Sequence, residues 1–312
     1  MKRETFMYEG VGNVKIFTYK WSPEKEIKIK GIIQIAHGMS ETIARYGRTA
    51  ESLTKAGFIV YGSDHRGHGQ TANEEEKLGY LEEDSFNLMV EDMHRLLEII
   101  KKENANVPIF LLGHSMGSFL TQRFICLYGR ELNGAIFSGS NGSIGIMADI
   151  GRVVAKIVMA IYGRNRKSTL LDKLTLGGFN KSFKPCKTTF DWLSCDEKEV
   201  EKYINDPYCG YIYNAGFYYD LFEGLKLIAK QEEINKIPKN LPIYIFSGDK
   251  DPVGKFGQGV LKLVNTYKRA GINDLVYTLY KDGRHEMLNE TNREEVIKNL
   301  IEWLGKHIEK NC

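Results

Sequence analysis

Cysteine is scarce and unpatterned: the five residues fall at 126, 186, 195, 209 and 312 of a 312-residue chain. Their number is odd and no C-x-x-C spacing occurs, which argues against a disulfide framework and a cysteine-built zinc site and suits a reducing cytoplasm. Long apolar runs are missing as well. No stretch of about eighteen uncharged apolar residues exists, so no transmembrane helix is expected. Met1 to Tyr8 holds no apolar core of the kind a secretory signal needs. Charge of one sign is also lacking. The formal net charge is +3, too small to argue for nucleic acid, and no basic-aromatic RNA-binding pattern occurs. No internal repeat is found. What remains is an ordinary globular composition, long enough for one large α/β domain or for one domain with an insertion.

One pentapeptide organises the chain: Gly113-His114-Ser115-Met116-Gly117. Before it, Pro108 to Leu112 is an apolar run of strand length. After it, Phe119, Leu120, Phe124 and Cys126 recur at helical spacing. A G-x-S-x-G between strand and helix is the setting of a nucleophile elbow. A serine on such a strained turn needs neighbours without side chains. The start of the helix then offers free N–H groups where a negative oxygen develops.

The rest alternates. Residues 4–8 and 15–21 read as an opening hairpin, and 28–36 as a strand buried on both faces. A helix over 43–56 ends at Gly57, and a strand follows over 58–62. Residues 70–83 read as polar loop. Ser85 is expected to cap a helix running to about 103. Strands are expected at 134–138, 241–247 and 274–280, with helices at 257–270 and 294–308. Strands alternating with helices predict an α/β fold with a mostly parallel, doubly wound sheet. From about 140 to 239 no strand pattern appears. Ile146, Ile150, Val153, Val154, Ile157, Val158 and Ile161 mark a helix over 145–162, and aromatics crowd the remainder. Residues 1–139 and 240–312 are therefore read as the core. Residues 140–239 are read as a helical cap over the carboxyl ends of the strands, where open α/β sheets bind ligands.

Serine is a poor nucleophile unless a base takes its proton and a carboxylate orients the base. In this fold the order is Ser, then Asp or Glu, then His. His37, His65, His68, His94 and His114 precede or adjoin Ser115, and His307 lies late in the last helix, where a solvated surface role is expected. His285, on a turn after the last strand, is the base. For the acid, Asp249 and Asp251 both qualify by position, while Asp282 is too near His285 to be more than turn chemistry. Backbone amides of Met39 and Met116 are expected to form the oxyanion hole, each worth about 3 kcal/mol in the transition state. Asp64, His65 and His68 lie close enough to raise a metal reading. A metal would need further ligands and would make the serine centre redundant, so these histidines are expected to hold the turn. No cofactor and no metal is required.

With these residues in hand, the chain resembles the lysophospholipase and monoacylglycerol lipase branch of the α/β-hydrolases. The resemblance rests on His37-Gly38-Met39-Ser40-Glu41, Asp64-His65-Arg66-Gly67-His68-Gly69-Gln70, the serine pentapeptide, Gly248-Asp249-Lys250-Asp251 and His285-Glu286-Met287-Leu288-Asn289-Glu290. It implies Asp251 as the triad acid and a cap that shapes an acyl-chain tunnel. Thr42 stands where the branch often has His, and Ser118 where a further Gly is usual. The implied activity is a serine carboxylic-ester hydrolase acting on single-acyl-chain lipids. A short-chain esterase, a thioesterase or a peptidase of the same branch would use the same residues. A non-catalytic binding scaffold is argued against by the intact Ser, Asp and His. Between Arg152 and Lys187 stand nine Lys or Arg against one acid, Asp172. Such a run is ordinarily a solvated face. Its functional reading is a basic amphipathic surface, with Arg152 and Lys156 beside Ile150, Val153 and Ile157, touching anionic membrane transiently.

Overall fold

A computed structural model describes residues 1–24, 27–142 and 145–309, so Cys312 lies outside the described residues. Eight strands form one sheet in the order β1-β2-β4-β3-β5-β6-β7-β8. The opening hairpin pairs β1 (Lys2–Glu9) with β2 (Lys15–Ser22), and β2 runs antiparallel to β4 (Phe58–Ser63). The strands β3 (Gly31–Ala36), β5 (Ile109–His114), β6 (Gly134–Ser138), β7 (Ile243–Gly248) and β8 (Leu275–Tyr280) join in parallel.

Helices α1 (Gly47–Lys55), α2 (Gly69–Ala72), α3 (Ser85–Glu103) and α4 (Met116–Tyr128) precede β6. Between β6 and β7 lie α5 (Ile146–Tyr162), α6 (Thr169–Thr175), α7 (Glu197–Asn205), α8 (Ala215–Ile228) and α9 (Gln231–Ile234). The last two are α10 (Gln258–Arg269) and α11 (Arg293–Glu309). One face of the sheet packs on α1 and α11 through Leu53, Leu300 and Trp303. The other packs on α3, α4 and α10 through Val90, Leu120 and Val264. Strand β3 feeds both layers: Ile33 and Ile35 reach the first, Ile32 and Ala36 the second. That is why its sequence is a continuous apolar run rather than an alternation. Each of the three isoleucines contributes about 1.5–3 kcal/mol by leaving water.

Several local expectations change. The strand read as 28–36 begins at Gly31, and the helix read as 43–56 begins with a 3-10 turn at Ile43–Tyr46. The 70–83 segment is not simply polar loop, because Leu78 and Leu81 are buried. Ser85 does not cap α3. It is the first helical residue, after Asp84, and both its N–H and its hydroxyl donate to Asp220 of α8 at 2.9 Å. A buried carboxylate from a distant element takes the groups that local capping would have used. His307 is not a solvated surface residue: it is 5 % exposed, its ring lies tilted against Trp303 with 4.3 Å between centroids, and its Nδ1 donates to the Trp303 carbonyl at 2.8 Å.

Among the described residues, the segment between β6 and β7 holds no strand, only one isolated bridge between Lys167 and Asn214. Helix α5 packs on α8 by its small-residue face, where Ala148, Gly151 and Ala155 meet Phe222 and its neighbours. A Cβ on Gly151 would stand 2.4 Å from Phe222 Cζ. The larger apolar residues Ile150, Val153, Ile157 and Ile161 therefore face out, each about half exposed or more. Arg152 is not free for a ligand, since it pairs with Glu223 at 3.1 Å.

Candidate active site

Strand β3 lies between β4 and β5, so the chain runs outward from it in both directions. The carboxyl ends of β3 and β5 border the crevice such a switch point leaves. Ser115 leaves β5 there, and Gly38 and Met39 leave β3. Ser115 sits at φ 52° and ψ −119°, outside the regions an L-residue ordinarily occupies. The two glycines of the pentapeptide are required by close approach. A Cβ on Gly113 would stand 2.3 Å from the Gly117 carbonyl oxygen, and one on Gly117 would stand 2.1 Å from that of Ala36. The elbow thus brings α4 directly against the end of β3.

Met116 is the first residue of α4, so its N–H has no acceptor within the helix. The Met39 amide is aimed by its own peptide unit. His37 Nδ1 donates to the Gly38 carbonyl at 2.8 Å, and a planar trans peptide turns the Met39 N–H the opposite way. His37 Nε2 accepts from the His65 N–H at 3.0 Å, which fixes the tautomer with the proton on Nδ1. Burial, then the neighbouring His65, holds His37 well below its ordinary pKa, so it stays neutral. At the other end of the unit, the Gly38 N–H donates to Glu41 Oε1 at 2.5 Å.

His285 is buried, with Nδ1 3.0 Å from Asp251 Oδ1. The Asp251 carboxylate also accepts from Ser247 Oγ and from the Val253 N–H, both at 2.9 Å. Burial opposes charge on both partners. The mutual attraction outweighs it, raising His285 above its ordinary value and lowering Asp251 below its own. Asp249 points elsewhere and accepts the Asp282 N–H at 2.8 Å. Two rings flank the His285 imidazole: Trp192 at 5.0 Å and His114 at 4.7 Å between centroids. Burial, then His285, pushes His114 down to about 3, so it brings no competing charge.

Beneath these loops Arg45 joins two carboxylates. It grips Glu286 with both terminal nitrogens, at 2.8 and 2.6 Å, and reaches Glu41 at 2.5 Å. Burial raises Glu41; against the same burial, Arg45 holds Glu286 down at about 2. The arginine ties the loop after β3 to the loop carrying His285. Two backbone bonds bring in the segment after α6: the Glu286 N–H donates to the Leu193 carbonyl at 2.7 Å, and that of His285 to Trp192 at 3.4 Å.

Ser115, Met39, Met116 and His285 line one cavity of about 270 Å³. Its remaining wall is mostly apolar, with Phe119, Leu174, Phe179, Trp192, Phe222 and Val253. Of the histidines after β4, His68 holds structure: its Nδ1 donates to the Arg66 carbonyl at 2.9 Å and its Nε2 takes the Tyr213 hydroxyl at 2.7 Å. Both nitrogens are thereby occupied, which leaves no metal-ligating atom on that ring. The five residues named from the sequence, Ser115, Asp251, His285, Met39 and Met116, thus converge. His37, Arg45, Glu286 and Trp192 also shape the site and were not singled out; their partners lie up to 241 residues away. The motifs that carry the resemblance signal His37 and Glu286; nothing in the sequence signals Arg45 or Trp192.

A mostly parallel eight-stranded sheet flanked by helices, with a serine on a strained strand-to-helix turn at its switch point, defines an α/β-hydrolase. Residues 27–292 match the family described as serine aminopeptidase, S33. Monoglyceride lipase of Mus musculus is 34 % identical over 302 residues, covering 94 % of this chain and 88 % of the mouse protein. Monoacylglycerol lipase of Mycolicibacterium smegmatis is 26 % identical, with 98 % of each chain covered. A thermostable carboxyl esterase from Bacillus coagulans, solved with glycerol, superposes with a TM-score of 0.91 at 28 % identity, covering 99 % of each chain. The chain belongs to this serine hydrolase family, in its monoglyceride lipase branch, and is a carboxylic-ester hydrolase. Among the described residues no helix is long and apolar enough to cross a membrane.

Proposed function

We propose that the chain hydrolyses single-acyl-chain lipid esters, monoacylglycerol or lysophospholipid, through an acyl-enzyme on Ser115. The observation that carries this reading is the mostly apolar cavity lined by Ser115 and His285. His285 Nε2 takes the Ser115 proton as Oγ attacks the ester carbonyl, and Asp251 stabilises the imidazolium. The oxyanion is held by the Met39 and Met116 amides. Collapse of the tetrahedral intermediate releases the head-group alcohol, which takes its proton from His285. Water, deprotonated by His285, then frees the fatty acid. The lipase names of the relatives support an acyl-chain substrate.

The family description names an aminopeptidase, which must bind a peptide ammonium. The carboxylates lining the cavity, Glu41 and Glu286, are committed to Arg45, the Gly38 amide and Asn289, which disfavours that role here. Side-by-side hydrolysis of monoacylglycerol, lysophosphatidylcholine and short p-nitrophenyl esters tests the reading. Long-chain lipid esters are expected to give the higher kcat/KM; a preference for short esters or for peptides overturns it.

Residues 140–239 act, in this reading, as a cap whose outer helices meet lipid. Ile150 and Leu174 line the cavity and are also about half exposed, so the apolar outer face of α5 and α6 continues into the tunnel. The basic run around it would add about 1 kcal/mol per residue near anionic lipid. With Arg152 paired, the apolar residues Val153 and Ile157 replace it as the expected contact. Full-length protein should co-sediment with vesicles containing phosphatidylglycerol more than with pure phosphatidylcholine, less at high salt, and less after Ile157→Asp. Binding indifferent to salt, lipid charge and Ile157 would leave the face as plain surface.

A further inference from the structure

The loop that presents the Met39 amide is held on its far side by the inserted segment rather than by the sheet. Ser40 follows Met39, is 2 % exposed, and has a left-handed φ of 53°. A non-glycine residue persists there only when its surroundings over-determine it. Its hydrogen-bonding groups all engage residues 210–213. The Gly210 N–H donates to the Ser40 carbonyl at 3.0 Å. The Ser40 hydroxyl donates to the Tyr211 carbonyl at 3.0 Å. The Ser40 N–H donates to the Tyr213 hydroxyl oxygen at 2.6 Å.

Tyr213 is fully buried and stacks on Phe217, with 3.9 Å between centroids. Its own proton goes to His68 Nε2 at 2.7 Å. His68 serves only as an acceptor there, because its Nδ1 donates to the Arg66 carbonyl. Burial pushes His68 down to about 4, so the ring stays neutral and the direction of the relay is fixed at neutral pH. The result is a one-way chain: Ser40 N–H to Tyr213 O–H to His68. The Gly38 side of Met39 is fixed by His37 and Glu41, the Ser40 side by Tyr213.

We infer that Tyr213 is a positioning residue for the oxyanion loop, setting the Met39 amide through Ser40, so that the insert completes the catalytic geometry as well as shaping the tunnel. The inference rests on the reading of Ser115 and Met39 given above. A phenol oxygen both accepts and donates, and phenylalanine does neither. Tyr213→Phe therefore leaves the Ser40 N–H buried without an acceptor and frees the loop to shift. A displacement of about 1 Å at a reacting group costs on the order of 10²-fold.

The test uses the full chain and two readouts on Tyr213→Phe. The first is kcat and KM on a p-nitrophenyl ester. The second is the inhibition constant of an alkyl trifluoromethyl ketone, which adds to the serine as a hemiketal oxyanion. The expected result is a fall in kcat of about 10- to 100-fold with KM changed less than about threefold. The inhibition constant should rise by the same factor as kcat/KM falls, because both report the oxyanion. If Tyr213→Phe does not fold, Tyr213→Leu carries the test: it too removes the acceptor of the Ser40 N–H, and the same paired losses are expected. A folded variant with kcat and inhibition constant within about twofold of the parent overturns the inference. Failure of the underlying reading looks different: the parent protein itself would not bind the ketone.

Discussion

Ser115→Ala is expected to lower ester hydrolysis by about 10⁶-fold while leaving the chain folded. A loss of that order follows when a catalytic serine is removed from a working triad. The substitution takes away one oxygen and no apolar surface, and Ser115 is only half-buried, so stability should move by less than about 1 kcal/mol. Ser115→Gly should be equally inactive but more stable than Ser115→Ala. Alanine keeps the cost of φ 52° and ψ −119°, about 1–3 kcal/mol for so sparsely populated a conformation, whereas glycine sheds it. The greater freedom of glycine in the unfolded chain offsets about 0.4–1 kcal/mol of that gain. Rates and thermal midpoints of the two variants decide the matter. Full activity in Ser115→Ala would remove the serine mechanism; an alanine variant as stable as the glycine one would remove the strain argument.

The elbow was legible because its cause is local. Gly113 and Gly117 sit where a Cβ would strike backbone within the turn or at the end of β3, so sequence spacing carries the geometry. The hydrolase sheet was legible for the same reason: β3 and β5 are buried on both faces and read as unbroken apolar runs. The choice between Asp249 and Asp251 was not legible from position. Both leave β7 on one turn, and residues two apart there face different partners, the Asp282 amide and His285. Family resemblance alone favoured Asp251. Helix α5 was legible in its extent, as Ile146–Tyr162. Apolar periodicity locates a helix but does not say which apolar face turns inward. Here the small residues Ala148, Gly151 and Ala155 take the inner face, because Phe222 fills the space beside them. The spacing of those small residues was the available signal. The Arg45 bridge to Glu41 and Glu286, and the Ser40 clamp by Tyr213, join residues far apart in the chain and had no pattern to announce them.

Asp251→Asn is expected to cut kcat by about 10⁴-fold, the loss that the same exchange produces in a serine protease by favouring the wrong imidazole tautomer. The asparagine would present an amide or a neutral oxygen to His285 Nδ1 where a carboxylate now accepts at 3.0 Å. Asp249→Asn should change kcat by less than about threefold, because Asp249 receives the Asp282 N–H and pairs with Lys250 at 3.5 Å in an exposed turn, away from His285. The pH profile separates a charge effect from general damage. His285 must be neutral to accept the serine proton, so activity rises with pH as the imidazolium is lost. In the parent, Asp251 raises the His285 pKa against burial, and the rise should be centred above the ordinary imidazole value. Without that carboxylate, burial is opposed only by the weaker attraction of Glu286 and Glu41, and the residual activity should rise at lower pH than in the parent. Asp249→Asn should keep the parent profile. If it is Asp249→Asn that loses activity, or if the midpoint in Asp251→Asn moves up instead of down, the pairing of Asp251 with His285 is not what orients the base.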